Sequence, residues 1–399
     1  MTTFFLIGSF FLVLVALQQS VAVFPPRSTP TTTRSPPLAT TDQEYQGCDP
    51  VAFTLHTNGT IAAVPNRNET LSMPHARARI IVFQRDGGQR LHELLLHYAH
   101  VVDDIVVLDH YSAPQTHRVL WKWQQRQTPR VHVWKCKGPF DIKHKLWTQT
   151  IRQYANQTDF VIPIDVDEYL SVSLPQEHHR LVWNRQAFYD TLDRIEVLAK
   201  EQGKPIKMQG AQPIPLDCTE YAHWLSTSLP SLQHSDKMQA DWCQTRHVFR
   251  PHPGQTGCGS KTLFWGPDFY RTDTGNHMGA TLRYPNMGRM YKICQQEGFS
   301  AAYTFSDLVL IHVQSFTFAD WLVHGLRGAA DSGANQHLDF RKLECKPGMK
   351  SQHYCEKWKQ FAAEGFSPYK LREIYLASQC PKTAHGLQSI ENVTAPSCT

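Results

Sequence analysis

The segment Phe160-Val161-Ile162-Pro163-Ile164-Asp165-Val166-Asp167-Glu168-Tyr169-Leu170 places three carboxylates directly after a run that is apolar at nearly every position. Such a run reads as a buried strand, so the acids stand where a strand ends. Neighbouring carboxylates cannot be buried unpaired, because taking an isolated ionised acid out of water costs many kcal/mol. They need a cation. Oxygen ligands of this kind suit a hard ion, Mg2+ or Mn2+, which keeps positions open for water and substrate phosphates. A lone Asp-x-Asp is common in solvated loops, so the reading rests on the elements around it.

Those elements alternate. Ile80-Ile81-Val82-Phe83, Ile105-Val106-Val107-Leu108, Val131-His132-Val133-Trp134 and Phe160 to Ile164 read as buried strands. Between them, Leu91, Leu94, Leu95 and Tyr98 recur at helical spacing, a helical stretch covers Arg118 to Gln127, and Trp147, Ile151 and Tyr154 mark a third helix. This alternation predicts a parallel sheet with helices on both faces and right-handed crossovers. In such a sheet, ligands bind at the carboxyl ends of the strands, where the acids sit.

After Glu168 the alternation loosens. Phe188, Leu192, Ile195 and Ala199 predict an amphipathic helix, and strand-like runs return at Arg246 to Arg250, Lys261 to Trp265 and Leu308 to Val313. Helices are expected at Phe318 to Ala330, Cys355 to Phe366 and Tyr369 to Ser378. No internal repeat is found. Ala211 to Thr245 has no period and reads as a long functional loop. In it Tyr221, Trp224 and Trp242 offer aromatic faces for stacking, and a Cys218–Cys243 pair would tie its base.

The compartment is read at the N-terminus. Phe4 to Leu17 is apolar but reaches only about 21 Å as a helix, short of the ~30 Å hydrocarbon core. Adding Val21 to Phe24 makes a span possible, while Ser20-Val21-Ala22 resembles a signal-peptidase site. Cleaved signal peptide and uncleaved anchor both stay open, and both deliver the body to an oxidising lumen. Ten cysteines without CxxC pairs fit disulfides better than zinc, and sequons stand at Asn58, Asn68, Asn156 and Asn392. A net charge of +5 over 399 residues, with no lysine/arginine run, gives no footprint for nucleic acid. The expected organisation is signal segment 1–24, Pro/Thr/Ser-rich stalk 25–46, lead-in 47–78, catalytic-type domain 79–330 and a helical, cysteine-containing extension 331–399.

From Arg79 to about Ala330 the chain resembles the glycosyltransferase family 2-like group that includes family 92. The resemblance is carried by Gln84-Arg85-Asp86 after the first strand, Leu108-Asp109-His110-Tyr111-Ser112 after the second, and the Asp165-Val166-Asp167-Glu168-Tyr169-Leu170 box. Lys261-Thr262-Leu263-Phe264, His277 and Leu310-Ile311-His312-Val313-Gln314-Ser315-Phe316 resemble the group's later Lys and His elements. The turn after Asp109 lacks the second acid usual in that group, and Ala211 to Thr245 matches nothing in it.

The resemblance implies a GT-A-type doubly wound mixed α/β sheet and a metal-dependent, inverting glycosyltransferase of the Golgi or ER lumen. It would use a nucleotide-sugar donor and a glycan, glycoprotein or glycolipid acceptor. Asp109 would accept hydrogen bonds from the base or ribose, unless it only caps the strand-end turn. Asp165 would face ribose and metal, Asp167 would bind the metal, and Glu168 would support the shell. His312 or His277 would be a further ligand. Lys143 or Lys145 would touch the diphosphate, and Asp86 either contacts the nucleotide or caps the Leu91 helix. A general base would come from Asp236, Asp241 or Asp268, with no ground for choosing. Two other classes fit the same residues: a secreted carbohydrate-binding protein that lost turnover, and a domain whose acids hold structural calcium.

Overall fold

The computed structural model describes residues 47–66, 73–85, 87–138, 142–174, 176, 180–215, 247–251, 257–273, 275–313, 321–322, 325, 345, 352–365, 367, 370–371 and 374–375. The chain divides into two compact units, one built on Glu44–Gln314 and the other on Ser315–Ser378.

The first unit opens with a hairpin, β1 (Gly47–Leu55) and β2 (Ile61–Pro65). Its Asn58-Gly59 turn places Gly59 at φ +78°, a conformation glycine adopts without strain. The alternating block follows as β3 (Ala76–Gln84), α1 (Gly88–Ala99), β4 (Asp104–His110), α2 (Pro114–Gln124), β5 (Arg130–Lys137), α3 (Lys143–Tyr154) and β6 (Thr158–Asp165). Then come β7 (Glu168–Leu174), β8 (Arg180–Val182), α4 (Arg185–Gln202), β9 (Ile206–Pro215), β10 (His247–Pro251), β11 (Lys261–Trp265), β12 (Phe269–Thr272), β13 (Gly279–Thr281), α5 (Met287–Glu297), α6 (Phe299–Ala302) and β14 (Thr304–His312).

One sheet runs in the order β2-β1-β5-β4-β3-β6-β11-β9-β14-β7-β8, with β10 beside β9, while β12 and β13 pair separately. The block β5-β4-β3-β6 is parallel. The chain steps outward from β3 to β5, then returns to the other side of β3 as β6, so the strand order reverses between β3 and β6. That reversal opens a crevice at the carboxyl ends of those two strands. The fold is therefore the doubly wound α/β sheet expected from the sequence, with mixed flanks.

Parallel strands covered on both faces need continuous apolar runs, and these have them. Ile81, Phe83, Val106, Leu108 and Trp134 form one core with Leu146, Trp147, Ile151 and Tyr154 of α3. The alternating residues Ile80, Val82, Ile105 and Val107 are fully buried on the opposite face, where right-handed crossovers put α1 and α2.

Several expectations shift. The 47–78 segment, read as a lead-in, supplies β1, β2 and the start of β3. Cys48 stands opposite Cys136 across β1 and β5 and is bonded to it. Ala211–Pro215 completes β9 rather than opening a loop, whereas the rest of that stretch, with Tyr221, Trp224, Trp242, Cys218 and Cys243, lies outside the described residues. So do the N-terminal segment and stalk, Asn68 and Asn392. In the second unit, α7 (Gln352–Ala363) and the Cys345–Cys355 disulfide are described, with Trp321 packed on Phe361 and Tyr375. Among the described residues no helix is long and apolar enough to cross a membrane.

Candidate functional site

The acidic box is where the chain crosses from one half of the sheet to the other. Asp165 ends β6, Val166 and Asp167 form the turn, and Glu168 begins β7. β7 pairs with β14 in a register that sets Glu168 opposite His312, and the Val313 N–H donates to the Asp167 carbonyl at 2.9 Å. This pairing delivers His312 to the box. Its Nε2 lies 3.4 Å from Asp167 Oδ2, and Arg90 of α1 approaches the same oxygen at 4.0 Å. Burial disfavours the imidazolium, but the Asp167 carboxylate outweighs it and raises the pKa of His312.

Two lysines enter from other elements. Lys261, first residue of β11, puts Nζ 2.8 Å from Glu168 Oε1 and 3.5 Å from Asp165 Oδ2. Lys143, first residue of α3, donates to Asp165 Oδ1. Its ammonium also stands over the Trp147 and Phe83 rings, 4.2 and 5.2 Å from their centroids. Burial pushes Asp165 upward, but Lys143 and Lys261 together hold it below the ordinary carboxylate range. Glu168 is fully buried and stays above that range, because burial outweighs Lys261. The Asp165 N–H donates to Glu168 Oε2 at 2.8 Å, so the box is folded on itself.

Asn276 anchors the adjoining strands. It holds φ +55°, donates to the carbonyls of Pro163 and Thr262 at 2.7 Å each, and accepts from the Thr272 hydroxyl. It thereby fixes β6 two residues before Asp165 and β11 one residue after Lys261.

On the other side of the crevice, Gln84 at the end of β3 donates to Asp109 Oδ1 and, at 2.8 Å, to Ser112 Oγ. Asp109 Oδ2 is buried without a hydrogen bond among the described residues, 3.6 Å from His117 Nε2. Tyr111 follows at φ +56° with its ring half exposed. The three helices opening on this edge lack a side-chain cap and an acid in the first turn: α1 starts after Gly87, α2 after Ala113 and α3 after Ile142. Their positive dipole ends favour an anion.

The structure therefore gathers Asp109, Asp165, Asp167, His312 and Lys143 at one edge. Lys145 is exposed on α3, whereas Lys143 turns to Asp165. His277 faces elsewhere: its Nδ1 meets the Gly259 carbonyl at 2.8 Å, and burial with nearby Lys261 pushes its pKa down to about 4. Asp268 is placed at the wrong end for a base. β11 runs antiparallel to β6, and Gly266 packs on the Thr158 carbonyl, so Asp268 sits by the start of β6 and faces Arg283 at 3.6 Å. Asp86, Asp236 and Asp241 lie outside the described residues.

Arg90 and Asn276 were missed. Arg90 had a signal, as a cation in the first turn of a helix leaving the carboxyl edge; Asn276 had none.

Among the described residues, no three His, Cys, Asp or Glu side chains converge as a metal site. A magnesium-like ion needs fewer, since it is commonly held by one or two protein ligands plus substrate phosphates. Asp167 Oδ2 and His312 Nε2 fit this: their 3.4 Å separation is close to that of adjacent ligands around one octahedral ion.

No protein-family model matches the chain, and no curated relative does. Among solved structures it is similar to TarS 1-349 of S. aureus at 13% identity and TM-score 0.30, covering 74% of this chain and 75% of that one. It is similar to the mannosyltransferase PcManGT from Pyrobaculum calidifontis, in complex with GDP-Man and Mn2+, at 13% identity and TM-score 0.30, covering 78% and 80%. Similarity of that degree carries no functional information by itself.

Proposed function

We propose that the chain is a metal-dependent glycosyltransferase of the GT-A type. It moves a sugar from a nucleotide-sugar donor to a glycan, glycoprotein or glycolipid acceptor, with inversion. The observation carrying this reading is the Asp167–His312 pair at the strand-order reversal, next to Asp165 with its two lysines and at the edge where the helices of the parallel block begin. Carboxylate and imidazole suit Mn2+ or Mg2+, and the surrounding helix ends and ammonium groups suit the phosphates that such an ion accompanies.

In this reading Asp109 accepts hydrogen bonds from the donor's base or ribose. Asp167 and His312 hold the divalent ion, which when bound neutralises charge developing on the departing diphosphate. Lys261 compensates the buried Glu168 and keeps the box in shape. Asp165 orients the donor beside them. Inversion needs a carboxylate at the acceptor hydroxyl, and of the three acids considered Asp236 and Asp241 remain.

The Cys48–Cys136, Cys258–Cys294 and Cys345–Cys355 bonds and the exposed sequon residues Asn58 and Asn156 support a lumenal body, held by the N-terminal segment or secreted after its cleavage. A glycosidase-sensitive mobility shift after expression in a secretory host checks the compartment.

The activity is tested by incubating the purified protein with a panel of nucleotide sugars and measuring nucleotide release with Mn2+ and with chelator. At least one donor should turn over only with the metal. Absence of release from every donor, with no nucleoside diphosphate bound, rejects the reading.

A further inference from the structure

β7 begins with the last residue of the acidic box, and among the described residues a strand closes only one of its edges there. β14 pairs with Glu168 to Val172 on one side, whereas β8 reaches only Val172 to Leu174 on the other. The backbone groups that Glu168 and Leu170 turn away from β14 are met by side chains of α1 instead. The Tyr98 hydroxyl donates to the Glu168 carbonyl at 3.1 Å and accepts from the Leu170 N–H at 2.9 Å. Burial pushes its pKa up, so the hydroxyl keeps the proton it donates. His97 Nε2 meets the Leu170 carbonyl at 2.8 Å, and its ring stacks on Trp183 with centroids 4.8 Å apart. A carbonyl only accepts, so this nitrogen carries the hydrogen. Two neighbouring side chains thus do the work of a strand, pairing buried backbone groups that would be costly to leave unmet.

The consequence falls on Asp167. Its carbonyl is held from β14 by the Val313 N–H at 2.9 Å, and the next carbonyl, that of Glu168, is held from α1 by Tyr98. Two successive peptide groups are pinned from opposite sides, and the first belongs to Asp167 itself. The other end of the same helix presents Arg90 to the Asp167 carboxylate at 4.0 Å.

We propose that Tyr98, with His97, is a positioning residue for the divalent ion: it stands in for a missing strand and holds the turn in which Asp167 faces His312. This rests on the metal-dependent reading of the site. It adds a helix that sets the ion's affinity without touching the ion.

The test measures Mn2+ binding to the full chain by electron paramagnetic resonance, beside the urea midpoint, for wild type, Tyr98→Phe, His97→Phe and Thr281→Val. Thr281 is the control. Its buried hydroxyl likewise donates, to the Gly203 carbonyl at 2.6 Å, and accepts, from the Tyr284 N–H at 3.1 Å. Gly203 lies two residues before Pro205, whose carbonyl meets the start of β14, the end opposite His312. Tyr98→Phe keeps the ring and should weaken Mn2+ binding about tenfold, the lower end of what losing a residue that supports a metal ligand costs. His97→Phe keeps the stack and should weaken it several-fold. Thr281→Val should lower the urea midpoint and leave Mn2+ binding unchanged. Wild-type Mn2+ affinity in a folded Tyr98→Phe, or equal weakening in Thr281→Val, overturns the proposal. If Tyr98→Phe does not fold, wild-type affinity in a folded His97→Phe overturns it. Failure of both to fold does so too, because the clamp then serves the fold alone. A wild type that binds no Mn2+ takes the metal-dependent reading down with it.

Discussion

The parallel block carries buried charge at both ends, and the two clusters are built on different plans. At the amino end, Arg79 and Asp104 are fully buried and joined at 2.6 Å. The Arg79 guanidinium also donates to the Thr158 hydroxyl at 2.7 Å and the Pro74 carbonyl at 3.1 Å, while Asp104 meets His132 at 3.3 Å and Arg130 at 3.4 Å. Every partner there comes from the starts of β3 to β6 or the approach to them. At the carboxyl end, Asp165 and Asp167 keep 27% and 15% of their side chains exposed, and their partners come from α1, α3, β11 and β14. One cluster is closed and fastens strands together. The other is open to solvent. A sheet can hold charge for stability at one end and for chemistry at the other, and access separates the two.

The comparison predicts opposite responses to mutation. Removing one partner of a closed buried pair strands the other, so Arg79→Met should cost about 3–5 kcal/mol, read as a lower urea midpoint. A loss under about 1 kcal/mol would break the claim that the amino end is a fastener. Asn276→Ala should cost about 1–3 kcal/mol, because it leaves the carbonyls of Pro163 and Thr262 unpaired. It should also weaken Mn2+ binding by loosening β6 and β11 beside the box, which a purely global destabilisation would not do while the protein remains folded.

Acid distinguishes the clusters further. Burial raises Asp104, but His132 and Arg79 bring it below its ordinary 3.8. A carboxylate lowered in the folded state stabilises fully above its unfolded value and loses that contribution as pH falls through the folded value. Asp103, held low by Arg185, and Glu196, held low by Arg77, act in the same direction. Stability from this end should be level between pH 7 and about 5 and fall below about 4, with a shallower fall in a folded Asp104→Asn variant. Urea unfolding against pH checks it, and identical slopes would remove Asp104 from the account.

How much of this was legible depended on sequence distance. β3 to β6 announced themselves as apolar runs, since a strand covered on both faces has no polar positions to blur it. The box was legible because Asp165, Asp167 and Glu168 are adjacent. β1 and β9 were not read as strands, because GCDPVAFTL and KMQGAQPIP interrupt their apolar residues with glycine, proline and polar groups. The contacts that turn the box into a site escaped for another reason. Lys261 reaches Glu168 through β11, and His312 reaches Asp167 through the register of β14 on β7. Nothing local marks such pairings. Lys143 over Lys145 was decided by which face of α3 turns inward, which two residues' spacing left open. Arg79 interrupts an apolar run, a signal of a paired buried charge that was passed over.

The central claim is that the carboxyl end is a metal and diphosphate site. Its most direct test is Mn2+-dependent nucleotide release by Asp167→Asn, measured beside wild type with the donor that wild type turns over. The change keeps the side chain's shape and removes the charge that His312 and Arg90 face. Release should fall about 10²–10³-fold, the scale of losing one preorganised electrostatic partner, with thermal stability within about 1 kcal/mol of wild type. Wild-type turnover with wild-type Mn2+ dependence in this variant would contradict the account.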